Sequence, residues 1–334
     1  MQETIETASE NNQPVTMPEK RAISGFWRRI LALWIDSAIL GLVGMLLGSI
    51  MFDFFVQIGA WGRLVGFCLA LPYFSLLNSA VGKGQTIGKR IMKIEVVDRL
   101  GEHISINHSF VRYVILSLPF FLNGLLIPSS VVMSSLGFII GFIVFSFIGA
   151  IIYLYIFNRR TRQSLHDLLV GTYVVKTVPH GPVGTEPIWK PHLVITGSWF
   201  AIVLVLLLAM PWIAQKGVFP GLLALQKKIE SSGHVYTAAV SEGKNFTPTD
   251  STKPNTSFLT IVAHWRTKPA NYESAAKVIA AMAIENYQDI MTKDALVVVV
   301  SYGYDIGIAY ATRNQTFKYT PEQWRNALQE TQAK

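Results

Sequence analysis

Two oppositely charged residues lie near the start of the first long apolar segment. Arg29 ends a basic cluster, and Asp36 is the only charged residue in the 23 residues from Ile30 to Phe52. Seven residues make close to two helical turns, so both side chains lie on one stripe of a helix, about 10 Å apart along its axis. That separation is too long for a relaxed ion pair. We therefore expect Arg29 and Asp36 to share a helix face but to bind different partners.

Asp36 lies in a segment that is long and apolar enough to span a bilayer. A charged residue in the hydrocarbon costs roughly 2.5 to 3.5 kcal/mol on insertion scales, so Asp36 should face other helices or water. One interpretation is that it exchanges a proton or a small cation, since burial favours its protonated form. The other is that it is a structural hydrogen-bonding residue that fixes helix packing.

A second carboxylate, Asp167, follows the basic turn Arg159-Arg160-Thr161-Arg162. It lies in a short amphipathic helical pattern that ends at Gly171. At that depth it can reach Arg29, whose guanidinium is always charged and binds carboxylates in a bidentate way. We predict that Arg29, Asp36 and Asp167 form one polar site at the cytoplasmic side, in which Arg29 holds Asp167 ionised while Asp36 exchanges a proton or small cation.

The elements that must position these residues are membrane helices. The sequence predicts an α-helical polytopic membrane bundle with about five transmembrane helices, a small cytoplasmic β element and a C-terminal α+β soluble domain. The expected crossings are about 30–52, about 63–79, two within the uncharged stretch 113–158, and 193–214. Residues 113–128 are short and contain Pro119 and Asn123, so a re-entrant half-span is the alternative there.

Lysine and arginine set the expected orientation, because basic residues concentrate in cytoplasmic loops. Basic residues precede the first span and recur in 83–112 and 159–192. This pattern predicts a cytoplasmic N-terminus and an extracytoplasmic C-terminal domain. A small cytoplasmic β-hairpin is also predicted. Its signals are alternating polar and apolar residues over 93–97, a turn at 99–101, and Ile104 and Ile106 after the turn. Residues 172–178 could add a third strand.

The chain divides into five predicted parts. They are a disordered cytoplasmic tail (1–20), a membrane domain (21–178), a linker (179–192), the fifth transmembrane helix (193–214) and the extracytoplasmic domain (216–334). In the last part we expect helices at 219–231 and 272–291, a polar loop over 241–257, and strands at 258–266 and 295–301. A turn at 302–305, a strand at 306–312 and a final helix from Pro321 complete it.

Composition excludes several classes of function. Of the 334 residues, 51% are hydrophobic and 15% are charged, against about 25% charged in soluble domains. The net charge is +8 without a basic run interleaved with aromatics, so the charge indicates lipid contact and not nucleic acid. Cys68 is the single cysteine, which leaves no intramolecular disulfide.

The residue types that could support catalysis are scattered. His234, His264 and Asp305 form no catalytic motif, so we expect no enzymatic activity, no metal and no cofactor.

Three ordered blocks of the sequence resemble the RDD family of bacterial membrane proteins. They are SGFWRRILALWID, GQTIGKRIMKIEVVDRLGEHISI and RRTRQSLHDLLVGTYVV, within about residues 24–176. The family's arginine and two aspartates fall on Arg29, Asp36 and Asp167. The resemblance implies a multi-pass protein of the bacterial cytoplasmic (inner) membrane, for which transport, including sodium/proton exchange, has been suggested. It does not extend to the C-terminal domain.

Two functions therefore remain open from the sequence. In the first, the protein transports a proton or small cation through a site near Asp36. In the second, it is a membrane anchor that presents its C-terminal domain for binding or assembly and transports nothing. The expected partners are the lipid bilayer and, according to the function, a proton or small cation, a homo-oligomer or a membrane partner protein.

Overall fold

A computed structural model describes residues 20–178, 181–216, 219–245 and 256–332. The predicted tail, except for Lys20, lies outside these residues. The first half contains nine helices and two strands within the described part of the chain: α1 Phe26–Ile50, α2 Phe52–Ile58, α3 Gly62–Leu77, α4 Ile87–Ile91, β1 Ile94–Val97, α5 Ile106–Leu122, α6 Ser129–Val132, α7 Ser135–Phe157, α8 Leu165–Val170, β2 Tyr173–Lys176 and α9 Lys190–Ala214.

Four helical stretches are long and apolar enough to cross a membrane: Phe26–Ile50, Phe52–Leu77, Ser135–Phe157 and Lys190–Ile213. The remaining predicted crossing corresponds to α5, an apolar helix of 17 residues, which is at the short end of the range for a span. The structure therefore contains a helical region with four candidate membrane spans. Five crossings and their orientation stay predictions.

The long helices form an antiparallel bundle with two different ends. Helices α3, α5, α7 and α9 pack side by side in chain order, and α9 contacts the rest mainly through α7. We call the end that carries α4, α8, β1 and β2 the basic end, and the opposite end the domain end. Helix α1 buries a single stripe toward the protein, and its other side chains are partly or fully exposed. The buried residues are Arg29, Ala32, Asp36, Leu40, Gly44 and Gly48.

The small β element differs from the predicted hairpin. Strand β1 pairs antiparallel with β2, so Ile94 lies opposite Lys176 and Val97 opposite Tyr173. Residues 102–105 form no strand, and Ile106 already begins α5. The turn after β1 is present, because Asp98 Oδ1 accepts from the backbone N–H groups of Leu100 and Glu102. The second predicted strand is therefore wrong, and 172–178 supplies the partner directly.

The C-terminal half is a four-stranded sheet with helices packed on it. Its described elements are α10 Phe219–Glu230, β3 Val235–Asn245, β4 Thr256–Trp265, α11 Tyr272–Asn286, β5 Ala295–Asp305, β6 Tyr310–Tyr319 and α12 Pro321–Gln332. The strand order is β3-β4-β5-β6, and β4 and β5 are parallel. A parallel pair needs a crossover, and α11 provides it. Residues of all three helices share one core with the strands, including Leu225, Ile279 and Trp324.

Several predicted boundaries in this half are wrong. Residues 241–245, read as the start of a polar loop, belong to β3, whose pairing with β4 places polar side chains on a strand. The rest of that predicted loop, 246–255, lies outside the described residues. Tyr302 to Asp305, read as a turn, continue β5, and the reversal occurs at residues 306–309. The helix predicted over 272–291 ends at Asn286 and is followed by a 3-10 turn.

The tip of the β5–β6 hairpin enters the bundle at the domain end. Ile306 and Ala309 share a buried cluster with Phe55 and Val56 of α2. Ile308 reaches farther and packs against the cluster that contains Leu40 of α1 and Phe74 of α3. The hairpin of the C-terminal domain is thus part of the helical core.

Candidate functional site

Asp167 is the centre of a buried ion-pair network at the basic end. Its side chain is fully buried, and Arg112 donates to Oδ1 through both Nε (2.9 Å) and Nη2 (2.6 Å). Arg29 Nη2 donates to Oδ2 at 2.7 Å. Thr172 Oγ1 and the backbone N–H of Ser164 also donate to this carboxylate. One carboxylate therefore joins α1, α5 and the start of α8.

The charge of Asp167 follows from these contacts. Burial by itself raises the pKa of Asp167, but the charges of Arg112 and Arg29 outweigh it and hold the pKa well below its usual range. Burial lowers the pKa of the neighbouring His166 to about 3, so that imidazole is neutral at pH 7. The network accordingly contains two guanidinium groups and one carboxylate.

The Arg29 guanidinium makes three contacts. Its Nη1 donates to the backbone carbonyl of Arg162, and its guanidinium carbon lies 4.9 Å from the centre of the Tyr155 ring. The third contact is the bond to Asp167. These partners fix the turn before α8 against α1 and α7. The structure brings together the two residues that the sequence predicted to meet, Arg29 and Asp167.

Asp36 is bound by a separate set of donors. Tyr73 Oη donates to Oδ1 at 2.7 Å, the Gly88 N–H donates to Oδ1 at 2.8 Å, and Thr86 Oγ1 donates to Oδ2 at 2.6 Å. Asp36 therefore ties α1 to α3 and to the start of α4. No ion pair joins Asp36 to Arg29 in the described part of the chain, as their spacing predicts.

Gly88 allows this contact between α4 and α1. A Cβ at Gly88 would overlap the carbonyl oxygen of Ala32 and approach the Asp36 carboxylate carbon to 3.0 Å. Only glycine lets the backbone N–H come close enough to donate to Asp36. The start of α4 is ordered, and Thr86 caps it through its side chain.

Lys89 is a further charged residue at the basic end. Its Nζ donates to Asn78 Oδ1, and burial together with the charge of Arg112 lowers the pKa of Lys89 to about 7. Lys89 and Arg112 both line a cavity of about 290 Å³ that also reaches Arg29 and Asp36. Sequence reasoning treated Lys89 and Arg112 as topological charges only. One signal in the sequence could have identified Arg112 as a site residue: it is the last charged residue before the uncharged stretch 113–158.

Metal ligation has no support in the described ranges, where no group of three or more His, Cys, Asp or Glu side chains could hold a metal ion. The oxygens of Asp36 and Asp167 already accept hydrogen bonds from protein donors. What the cluster can do chemically is hold helices together and present positive charge to the cavity. Its role as an ion-exchange site stays a prediction.

Comparisons with known proteins identify a family domain in the part of the chain that contains these residues. Residues 23–171 match the RDD family. The chain is also similar to "Uncharacterized protein YxaI" of Bacillus subtilis (strain 168), with 25% identity over 174 residues that cover 46% of this chain and 96% of that protein. No solved structure matches the chain. Residues 23–171, which contain Arg29, Asp36 and Asp167, therefore form an RDD family domain.

Proposed function

We propose that this protein is a membrane anchor that holds its C-terminal domain in a fixed position against the membrane-spanning bundle, outside the cytoplasm, for binding or assembly. The observation that carries the proposal is the insertion of the β5–β6 hairpin among the helices. A domain that was tethered only by α9 would not need to bury apolar side chains among the helices of the bundle.

Small residues make room for the hairpin. A Cβ at Gly66 of α3 would overlap the carbonyl oxygen of Ile306, and a Cβ at Gly44 of α1 would lie 2.8 Å from that of Ala309. Stripes of small residues in membrane helices commonly let another helix approach closely. In this bundle the same kind of stripe receives a hairpin, so the two parts of the chain are complementary in shape.

Polar contacts surround the inserted tip. Tyr302 Oη donates to Asp53 Oδ1 at 2.8 Å, which ties β5 to α2. On another side, Glu230 Oε2 accepts from the N–H (2.9 Å) and the hydroxyl (2.6 Å) of Ser129, which ties α10 to α6. Contacts at separate points restrict rotation as well as translation. They support a fixed domain in preference to a flexibly linked one.

The surroundings of Asp36 also support an anchor. An exchanging carboxylate must release its partners to take up a proton or a cation, and Asp36 has three protein donors on its two oxygens. Removing such a group would leave buried donors unsatisfied. We infer that Asp36 acts as a cross-link between α1, α3 and α4.

Transport is the second candidate, and one observation favours it. The cavity at the basic end reaches Asp36 and Lys89, and the pKa of Lys89 lies near 7, where proton exchange occurs at physiological pH. Ionisable groups inside membrane proteins are often part of proton or ion pathways. Against it, Ile308 of the hairpin tip packs against the cluster that contains Phe74, and Phe74 also lines the cavity.

Flux measurements separate the two candidates. Full-length protein is reconstituted in proteoliposomes and monovalent cation flux is followed under a pH gradient, for the wild type and for Asp36→Asn. The anchor proposal predicts no flux above that of protein-free liposomes for either protein. Wild-type flux that disappears in a correctly folded Asp36→Asn protein would overturn it in favour of transport.

A further inference from the structure

The cavity at the basic end has two chemically different parts. Its inner part contains the basic side chains Arg29, Lys89 and Arg112. Its outer walls are apolar and are contributed by helices α1, α5 and α7. A pocket of about 290 Å³ is close to the lower limit for a small-ligand site. It therefore has the size for a head group and the start of an attached chain.

The inner part has more hydrogen-bond donors than free acceptors. Three basic side chains surround two carboxylates, and the carboxylate oxygens already accept from protein donors. Among the residues that the structure describes, Arg112 Nη1 makes no hydrogen bond and Lys89 Nζ has one acceptor, the side chain of Asn78. Unmatched donors on basic side chains favour an anion and disfavour a cation.

The outer walls connect the cavity to the apolar surface of the bundle. Leu33 of α1 and Ile152 of α7 both line the cavity, and they are 41% and 48% exposed. A molecule can therefore enter between α1 and α7 from the side, where the surrounding surface is hydrocarbon-like. An anion that arrives this way must carry an apolar chain.

We propose that this cavity binds the anionic head group of an acidic bilayer lipid, with the head group at Arg29, Lys89 and Arg112 and the acyl chain leaving between α1 and α7. Basic pockets between membrane helices are a known form of lipid head-group site. The occupant is a lipid of the bilayer and not a free anion, because the walls on the entry side are apolar. This proposal does not depend on the anchor role.

The test uses full-length protein in detergent, titrated with phosphatidylglycerol or phosphatidylcholine and followed by native mass spectrometry. We expect one phosphatidylglycerol molecule per chain to survive at concentrations where phosphatidylcholine is lost. Lys89→Gln should weaken phosphatidylglycerol binding about fivefold, the effect of one basic contact at a lipid head group. Ile152→Trp should also weaken it, because the indole narrows the entry.

Each variant has a matched control. Arg90→Gln removes a positive charge from the neighbouring, exposed position of α4, and Ile139→Trp places an indole on an exposed part of α7; neither residue lines the cavity. Both controls should bind phosphatidylglycerol like the wild type. Equal retention of the two lipids, equal effects of Lys89→Gln and Arg90→Gln, or competition by inorganic phosphate as strong as that by phosphatidylglycerol would each overturn the proposal.

Discussion

Arg63 and Asp305, which are 242 positions apart in the chain, form an ion pair at the domain end, with Nη2 donating to Oδ2 at 2.5 Å. Arg63 belongs to α3 and Asp305 ends β5, so the pair joins the bundle to the C-terminal domain. The same guanidinium donates through Nη1 to the carbonyls of Phe121 (3.1 Å) and Asn123 at the end of α5. One arginine thereby holds two helices and the base of the inserted hairpin.

Asp305→Asn should loosen the hairpin. The substitution leaves Arg63 without its charged partner, and a charged hydrogen bond contributes about 1.5 to 3 kcal/mol. We expect a loss of about 1 to 2 kcal/mol, since both side chains are partly exposed. Denaturant unfolding of the purified full-length protein measures it. Asp289→Asn, at an exposed position of the same domain, is the control, and an equal loss in both variants would contradict a special role for Asp305.

Arg112 should matter more than Arg29 for stability. Arg112 donates twice to Asp167 and Arg29 donates once, and lysine cannot reproduce the bidentate geometry. We expect Arg112→Lys to destabilise the protein by about 3 kcal/mol and Arg29→Lys by less, because lysine keeps the positive charge but loses the second donor to Asp167, and a hydrogen bond to a charged group contributes about 1.5 to 3 kcal/mol. Thermal unfolding in one detergent compares the two variants. The reverse order would show that Asp167 depends mainly on Arg29.

Lys89 should make stability depend on pH. Its folded pKa of about 7 is below the unfolded value of about 10.4, so between these values the unfolded chain binds a proton that the folded protein lacks. Stability should therefore rise with pH from 7 to 9, and the cost of the charged, partly buried Lys89 side chain should be complete below pH 7. Relative to Lys89→Met, the wild type should gain thermal stability over this range. Parallel curves of thermal stability against pH for the two proteins would show that Lys89 does not titrate differently in the folded and unfolded states over this range.

Orientation can be checked with introduced cysteines in a Cys68→Ser background. The distribution of basic residues predicts that Arg313, exposed on β6, lies outside the cytoplasm and that Arg99, exposed after β1, lies inside. In intact cells an impermeant thiol reagent should label Arg313→Cys and spare Arg99→Cys. Labelling of Arg99→Cys before lysis would invert the predicted topology.

Local patterns predicted the parts of the site that depend on helical periodicity. The shared face of Arg29 and Asp36 and the short helix with Asp167 follow from spacing and from Gly171. The partners Tyr73, Thr86 and Arg112 do not, because each comes from an element whose position depends on tertiary packing.

The inserted hairpin illustrates the same limit in the C-terminal domain. Tyr302-Gly303-Tyr304-Asp305 has the composition of a turn, but both tyrosines are buried against the bundle and the backbone remains extended. Gly44 of α1 and Gly66 of α3 make room for the tip of this hairpin. Only the assembled fold shows that they receive residues 306–309, since the contact joins segments more than two hundred residues apart.

In the proposed arrangement, the C-terminal domain has a fixed position because its hairpin occupies the bundle. The most direct test is a distance distribution by double electron–electron resonance between spin labels on Leu64→Cys in α3 and Thr316→Cys in β6, with Cys68→Ser. Both sites are exposed. The comparison variants are Gly66→Ala, whose Cβ would overlap Ile306, and Gly197→Ala, whose Cβ would meet nothing within 4 Å.

We expect one narrow distance distribution for the labelled protein, a broader or shifted one when Gly66→Ala displaces the hairpin, and no change with Gly197→Ala. A broad distribution in the protein with Gly66 intact would contradict a fixed position of the domain.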